Sequence, residues 1–143
     1  MLKRDIEVSI WIARSPEDIW EYFCDVSNET LWRYGVHLAE WISDPPHGVG
    51  STGFHFVKSL GDYPWKVAEW EEQRIISWDV TDGRFEGFRA GYRITPEGAG
   101  SCVTIHVIVK PSALMRIMMF VMKWLFRRQL AGDLERLKAI MEA

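Results

Sequence analysis

The sequence predicts an α+β fold in which an antiparallel sheet of about seven strands is followed by a long C-terminal helix, with two short helices after the first strand. Three observations predict it. Residues 5–12 alternate between apolar and polar side chains, as a half-buried strand does. Residues 36–109 keep this two-residue period between turn signals. After residue 112 the period becomes helical and stays so to the C-terminus.

Two short capped helices are expected after the first strand. Ser15-Pro16-Glu17-Asp18 supplies a capping residue, a proline in the first turn and two acids near the positive end of the helix dipole. This pattern predicts a helix through about Phe23. Asp25–Asn28 offers a second cap for a short helix that includes Trp32, and Gly35 is placed to end it.

Six further strands are expected in the β region. Their predicted ranges are 36–42, 51–58, 64–71, 75–80, 85–95 and 101–110. Asp82-Gly83 is the strongest signal for a two-residue hairpin, and Pro96 to Gly100 reads as a looser hairpin loop. The last two strands alternate clearly, which predicts that one face of the sheet is buried and the other is wet.

The C-terminal helix has two different halves. One apolar stripe runs along its whole length: Met115, Met119, Met122, Phe126, Leu130 and Leu137. The first half carries a second apolar face, which leaves Arg116, Lys123 and Arg127 as its one polar line. Residues 113–126 could line a cavity, form a homodimer interface, or lie on a membrane with basic side chains near lipid phosphates. All three alternatives stay open at this point.

Composition bounds the function classes. A chain of 143 residues, 48% hydrophobic and 26% charged, predicts one globular domain over residues 1–143. A net charge of −3 gives no electrostatic reason to expect nucleic acid as a partner. Two cysteines, Cys24 and Cys102, predict a reducing, cytoplasmic setting. We expect no signal peptide, because the N-terminus passes straight into the alternating pattern without an apolar stretch. We expect no membrane span, because Arg116 and Lys123 interrupt the most apolar segment.

No metal ion or cofactor is expected. Histidines occur at four positions, and none stands three or four residues from another histidine or from a cysteine: His37, His47, His55 and His106. No glycine-rich phosphate loop follows a strand, and no Gly-x-Ser-x-Gly motif is present.

This order of elements is that of a helix-grip fold, in which a curved sheet wraps around the last helix and leaves a cavity. Five stretches carry a closer resemblance: residues 12–20 (Ile-Ala-Arg-Ser-Pro-Glu-Asp-Ile-Trp), Asp25 with Trp32, residues 49–51, residues 65–70 and residues 133–138. With these motifs the chain resembles the START-like (SRPBCC) superfamily, in particular its polyketide cyclase/dehydrase and lipid-transport branch. The resemblance implies a pocket for a small hydrophobic or aromatic ligand. The first half of the last helix is more apolar than the lid of such a cavity requires.

Two side chains are candidates for acid–base chemistry. Glu69 shares parity with Trp65 and Val67, so it points inward if they do; alternatively Ala68 and Trp70 face the core and Glu69 faces solvent. His55 is the second candidate, although alternation places it opposite its two phenylalanine neighbours.

Aromatic side chains on the predicted strands are the stronger signal for a ligand site. Such walls bind planar or acyl ligands through contact area and dispersion, although a solid core of large residues would give the same pattern. The candidate ligand-binding residues are Trp32, Phe54, Phe56, Trp65, Trp78, Phe88, Tyr92, Met118 and Met122.

Three functions follow from these patterns. The first is binding, transport or sequestration of a small hydrophobic ligand without chemistry. The second is a cyclase- or dehydratase-like enzyme that uses Glu69 or His55. The third is a module that docks a partner or a membrane through residues 113–126.

Overall fold

The computed structural model describes residues 6–58, 60–109 and 113–143, and it confirms the α+β fold. The strands are β1 (Ile6–Ile12), β2 (Val36–Trp41), β3 (Thr52–Val57), β4 (Gly61–Glu71), β5 (Ile75–Val80), β6 (Arg89–Glu97) and β7 (Gly100–Ile108). They form one curled antiparallel sheet in the order β1-β7-β6-β5-β4-β3-β2. Residues 5 and 110, at the ends of two predicted strands, lie outside the described residues.

The hairpin between β5 and β6 is wider than predicted. Asp82-Gly83 indicated a two-residue turn, but the loop runs from residue 81 to residue 88. Two backbone hydrogen bonds of 2.9 Å close this loop. The amide of Val80 donates to the carbonyl of Phe88, and the amide of Gly87 donates to the carbonyl of Val80. The predicted strand 85–95 therefore begins only at Arg89.

Strand β4 begins three residues before the predicted start at Pro64. The carbonyl of Pro64 accepts a hydrogen bond from the amide of Thr81 at 2.9 Å, just beyond the end of β5. In an extended residue the N–H and C=O point to the same side. The N–H that proline lacks would therefore face Thr81, so the missing bond falls at the end of the β4–β5 ladder and not in its interior.

Short helices cross one end of the sheet. Helix α1 (Pro16–Cys24) is capped by Ser15, whose hydroxyl accepts from the amide of Asp18 at 3.2 Å. A 3-10 turn (Val26–Asn28) and helix α2 (Glu29–Trp32) follow, as the two cap signals predicted. Gly35 ends the segment with a φ of 77°, a conformation that glycine adopts without steric cost.

The long helix α3 (Ala113–Met141) is most deeply buried along its second half. Leu130, Leu134 and Leu137 are buried, and the helix contacts β1 and α2 there. Its first half lines the sheet with Met119 and leaves its opposite face in solvent. No helix within the described ranges is both long enough and apolar enough to cross a membrane.

A glycine on β3 makes room for a tryptophan ring of β4 on the inner face of the sheet. Gly53 on β3 faces Trp65 on β4, and a Cβ at Gly53 would lie 2.4 Å from the indole ring. Only a residue without a side chain leaves room for this ring, which then lies buried over the inner face of the sheet.

Candidate functional site

A cavity of about 210 Å³ lies between the inner face of the sheet and the first half of α3. Strands β3 to β7 supply about half of its lining residues, and α3 closes it with Met119, Phe126 and Gln129. Its lining residues are Arg33, Tyr34, Val36, His55, Val57, Leu60, Tyr63, Trp65, Trp78, Val80, Phe85, Phe88, Ala90, Val107, Met119, Phe126 and Gln129. Aromatic and aliphatic side chains predominate, and Arg33 is the one charged group among them.

Some of the residues that the sequence singled out meet at this cavity. Trp65, Trp78 and Phe88 line it, and so does His55. The rings of Trp65 and Trp78 lie 5.8 Å apart, and His55 stacks on Trp78 at 5.9 Å. Trp65, Trp78 and His55 form a continuous aromatic wall, and Phe88 lines the same cavity.

Other predicted residues lie elsewhere. Trp32 and Tyr92 are buried beside the cavity, where their rings pack at 5.3 Å from each other. Phe54 and Phe56 share the face of β3 opposite His55, because strand side chains alternate, and Phe56 is exposed. Met118 and Met122 are about half exposed on α3 and do not line the cavity.

Glu69 is turned away from the cavity by a β-bulge. The register between β4 and β5 shifts between Val67 and Glu69, so the parity that Glu69 was expected to share with Trp65 ends there. Glu69 pairs with Ser77, on the opposite face from Trp78, and its Oε1 accepts from the Ser77 hydroxyl at 2.7 Å. Its expected acid–base role therefore has no geometric connection to the cavity.

A buried hydrogen-bond network lies behind the aromatic wall. Trp65 Nε1 donates to His55 Nδ1 at 2.5 Å, and His55 Nε2 contacts Glu29 Oε2. The hydroxyl of Tyr92 donates to Glu29 Oε1. Glu29 is 4% exposed and His55 7%, so these groups depend on one another rather than on water for their hydrogen bonds.

The network fixes the protonation state of His55. Because an indole nitrogen can only donate, His55 Nδ1 must be the acceptor and Nε2 must carry the proton that Glu29 accepts. A second proton on the ring would point at the Trp65 N–H. Burial lowers the pKa of His55, the Glu29 charge partly opposes this, and Arg33 lowers it further. The imidazole is therefore neutral, with both nitrogens occupied.

Arg33 links the network to α3. Its Nη1 donates to the Tyr92 hydroxyl at 2.6 Å, and its Nε donates to Asp133 Oδ2 at 3.1 Å. Burial acts to lower the pKa of Arg33, but its interactions with Tyr92, Glu29 and Asp133 outweigh burial and raise it. Arg33 is therefore a permanent cation at the cavity wall.

Asp133 joins α3 to the residues that follow α2. Its Oδ1 accepts from the backbone amide of Tyr34 at 3.0 Å and from Arg136 Nη2. Arg136 Nε in turn donates to the carbonyl of Trp32 at 3.1 Å. These bonds fix α2 and the residues after it against the second half of α3.

The network is electrically balanced, and Arg33 has N–H groups that the network does not use. Two guanidinium groups, of Arg33 and Arg136, face two carboxylates, of Glu29 and Asp133, while His55 is neutral. Arg33 uses Nε and Nη1, and the described residues provide no acceptor for its Nη2. The cavity thus offers one charged donor without an excess of positive charge.

Sequence reasoning did not identify Glu29, Arg33 or Asp133. Asp133 carried a signal, because it stands three residues after Leu130 and four before Leu137, on the stripe of α3 that is buried. An acid on such a stripe needs a buried partner. Glu29 and Arg33 lie in a short polar segment and carried no comparable signal.

A second depression, of about 500 Å³, lies beside the start of α1 and has a different character. It is lined mainly by polar and charged side chains of the β4–β5 turn and β6. Within the described part of the chain, no cluster of three or more histidine, cysteine or acidic side chains could hold a metal ion.

Comparison with known proteins identifies relatives of the fold. Residues 3–142 match the family model described as "Polyketide cyclase / dehydrase and lipid transport". No curated protein matches the chain. A structure from Thermus thermophilus is 14% identical over 94% of both chains, with a TM-score of 0.73.

Two further structures share this architecture. A START superfamily protein from Mycobacterium smegmatis is 17% identical, with a TM-score of 0.68 over 92% of this chain and 97% of that one. The Aha1 dimer from Colwellia psychrerythraea is 18% identical, with a TM-score of 0.65 over 96% and 95%. Identities this low show a common fold and no more.

Proposed function

This chain belongs to the polyketide cyclase / dehydrase and lipid transport family, and on that premise we propose that it binds a small, uncharged, mainly apolar ligand in the cavity between its sheet and α3. Family and fold together are those of a START/polyketide cyclase-like ligand-binding domain. The observation that carries the proposal is the aromatic cavity with the guanidinium of Arg33 in its wall.

The cavity volume limits the size of the ligand. Cavities for drug-sized ligands measure about 300–1,000 Å³, whereas an apolar cavity of about 150 Å³ holds benzene. The 210 Å³ here therefore suits one or two fused rings with a small substituent, or a short acyl chain.

The charge of the network limits the polarity of the ligand. A buried anion would leave the balanced network with an uncompensated negative charge, which the interior does not tolerate cheaply. An uncharged carbonyl or ether oxygen has no such cost and can accept the hydrogen bond that Arg33 Nη2 offers. We therefore expect a ligand with one hydrogen-bond acceptor on an otherwise apolar body.

Three bicyclic probes of matched shape test this proposal: 1-indanone, indane and indane-1-carboxylate. Titration calorimetry and thermal shift should show 1-indanone binding about tenfold more tightly than indane, the value of one hydrogen bond to a charged group. The carboxylate should bind least. No detectable binding of any probe would contradict the cavity, and tightest binding of the carboxylate would contradict the charge argument.

A matched pair of variants locates the binding. Ala90→Leu places a larger side chain in the cavity wall and should abolish the response to 1-indanone. Ala139→Leu makes the same change at an exposed position of α3 outside the cavity and should leave binding intact. Equal effects of the two variants would mean that the probe binds elsewhere.

The alternative of a cyclase- or dehydratase-like reaction has less support. Glu69 lies on the other face of the sheet, and both nitrogens of His55 are engaged by Trp65 and Glu29. An acid–base step at His55 would first require one of these buried bonds to break. Binding without chemistry needs no such rearrangement.

Other expectations remain proposals. They are a single START-like domain over residues 1–143, a cytoplasmic location, and a partner at residues 113–126. The dimeric Aha1 relative favours a second copy of the chain as that partner. The positive charge of the segment favours a partner other than a second copy of the chain.

A further inference from the structure

The first half of α3 presents an apolar face to solvent, which we call the outer face. It consists of Leu114, Ile117, Phe120, Val121, Trp124 and Leu125, all exposed. At 100° per residue these side chains fall within an arc of about 140°, opposite Met119 and Phe126 on the cavity side. Phe120 is 86% exposed and Ile117 63%. A contiguous apolar face of this kind marks an interaction surface.

Basic side chains flank one edge of the outer face and follow its C-terminal end. Residues 113–128 contain four lysines and arginines and no acid, although the whole chain has a net charge of −3. Lys123, Arg127 and Arg128 are exposed, and the Arg128 guanidinium lies 5.5 Å from the centroid of the Trp124 ring. Lys123 and Arg127 border one edge of the arc. An apolar centre with a cationic border complements an anionic bilayer surface.

We propose that the outer face docks this protein on membranes that contain anionic phospholipids. The apolar side chains enter the boundary between headgroups and acyl chains, and the basic side chains contact lipid phosphates. Because α3 is long enough but not apolar enough to span a membrane, it lies in the plane of the interface.

A second copy of the chain fits the outer face less well. In a two-fold symmetric dimer the same patch meets itself, so the cations of one copy meet a surface that carries the same number of cations. Residues 113–128 hold no carboxylate that could compensate them. An anionic bilayer supplies a compensating charge for every one.

Docking has a consequence for the cavity, and this part rests on the proposed ligand binding. The helix that carries the outer face also closes the cavity through Met119 and Phe126. A docked protein therefore holds this wall of its cavity at the bilayer, where apolar molecules are dissolved. A ligand would then travel only a short distance between the bilayer and the cavity.

Flotation with vesicles tests the docking. The full chain is mixed with vesicles of phosphatidylcholine alone or with vesicles of phosphatidylcholine and phosphatidylserine at roughly 3:1. The double variant Ile117→Ser/Phe120→Ser removes two side chains of the outer face. Ile42→Ser is its matched control, because Ile42 is 60% exposed on another surface. Arg127→Gln/Arg128→Gln removes two cations, and Arg74→Gln is the control for charge.

We expect flotation with the anionic vesicles only, and its loss in the Ile117/Phe120 variant. The Arg127/Arg128 variant should lower the partition coefficient about 25-fold, at about fivefold per cation, while both controls behave as the unmodified protein. Absence of flotation, equal flotation with phosphatidylcholine alone, or equal losses in the controls would overturn the proposal.

Size-exclusion chromatography without lipid completes the test. Elution as a dimer that Ile117→Ser/Phe120→Ser converts to a monomer would assign the outer face to a second copy and overturn the membrane proposal. The same variant is then titrated with 1-indanone. Retained binding would show that a failure of docking leaves the cavity proposal untouched.

Discussion

Asp133→Asn tests the buried network at the carboxylate that contacts both of its guanidinium groups. Asp133 is buried and accepts hydrogen bonds from Arg33, from the backbone of Tyr34 and from Arg136. Asparagine has nearly the same shape, but it is uncharged and offers one acceptor oxygen instead of two. Its NH₂ group would face at least one of these donors, and a buried guanidinium would lose its counter-charge.

The expected loss can be worked from the surroundings. Removing one partner of a buried ion pair costs about 3–5 kcal/mol, because the other charge stays buried. Arg33 keeps its contact with Tyr92, and Arg136 reaches solvent, so the lower end, about 3 kcal/mol, is expected. At about 2.1 cal/mol/K per residue, a chain of this length has an unfolding entropy near 0.3 kcal/mol/K. Tm should therefore fall by about 10 °C.

Differential scanning calorimetry and urea unfolding measure this loss. The control is Arg136→Gln, which removes the outer partner of the same carboxylate. Arg136 has a side chain that is 48% exposed, so its pair is screened and worth at most about 1 kcal/mol, or about 3 °C. If Asp133→Asn lowers Tm no more than Arg136→Gln does, the network does not stabilise the fold as argued.

Four further predictions each concern a single residue. Because burial lowers the pKa of His55 below its ordinary 6.5, the unfolded chain takes up that proton first, and the free energy of unfolding should fall as pH drops below 6.5. Burial raises the pKa of Tyr92 well above 10, so stability should also fall as pH rises past 10; urea unfolding across pH checks both limits. Gly53→Ala should cost about 1–3 kcal/mol, seen as a lower Tm, since its Cβ would overlap Trp65, and an unchanged Tm would refute that contact. Burial, with nearby carboxylates, raises the pKa of Cys24 to about 11, so alkylation at pH 8 followed by mass spectrometry should be much slower in the folded than in the unfolded chain.

Much of the fold is encoded locally and could be read from the sequence. Alternation predicted the strands, and Ser15 and Asp25 predicted the caps of the short helices, because both signals act within a few residues. The loop after β5 and the start of β4 at Gly61 were not predicted. Both depend on where a neighbouring strand ends, which is a property of the pairing rather than of the segment.

The aromatic site could be predicted only in part. Trp65 and Trp78 reach the cavity because both lie on the face of the sheet that meets α3, whereas Phe56 lies on the opposite face of the sheet. Alternation divides a strand into two faces but does not say which one meets the helix. The bulge before Glu69 adds a change of parity that no local pattern shows.

The polar network could not be derived from local pattern, because its bonds span the chain. Arg33 and Asp133 are 100 residues apart in sequence, and Tyr92 and Glu29 are 63 apart. The position of Asp133 on the buried stripe of α3 indicated that a partner must exist. Only the packing of α2 against α3 shows that the partner is Arg33.

A crystal structure of the protein soaked with 1-indanone tests the central claim most directly. We predict electron density for the two rings against Trp65 and Trp78, with the ketone oxygen within hydrogen-bond distance of Arg33 Nη2. Density for the probe at any other place, or an interior filled by side chains where the cavity should be, would contradict the account.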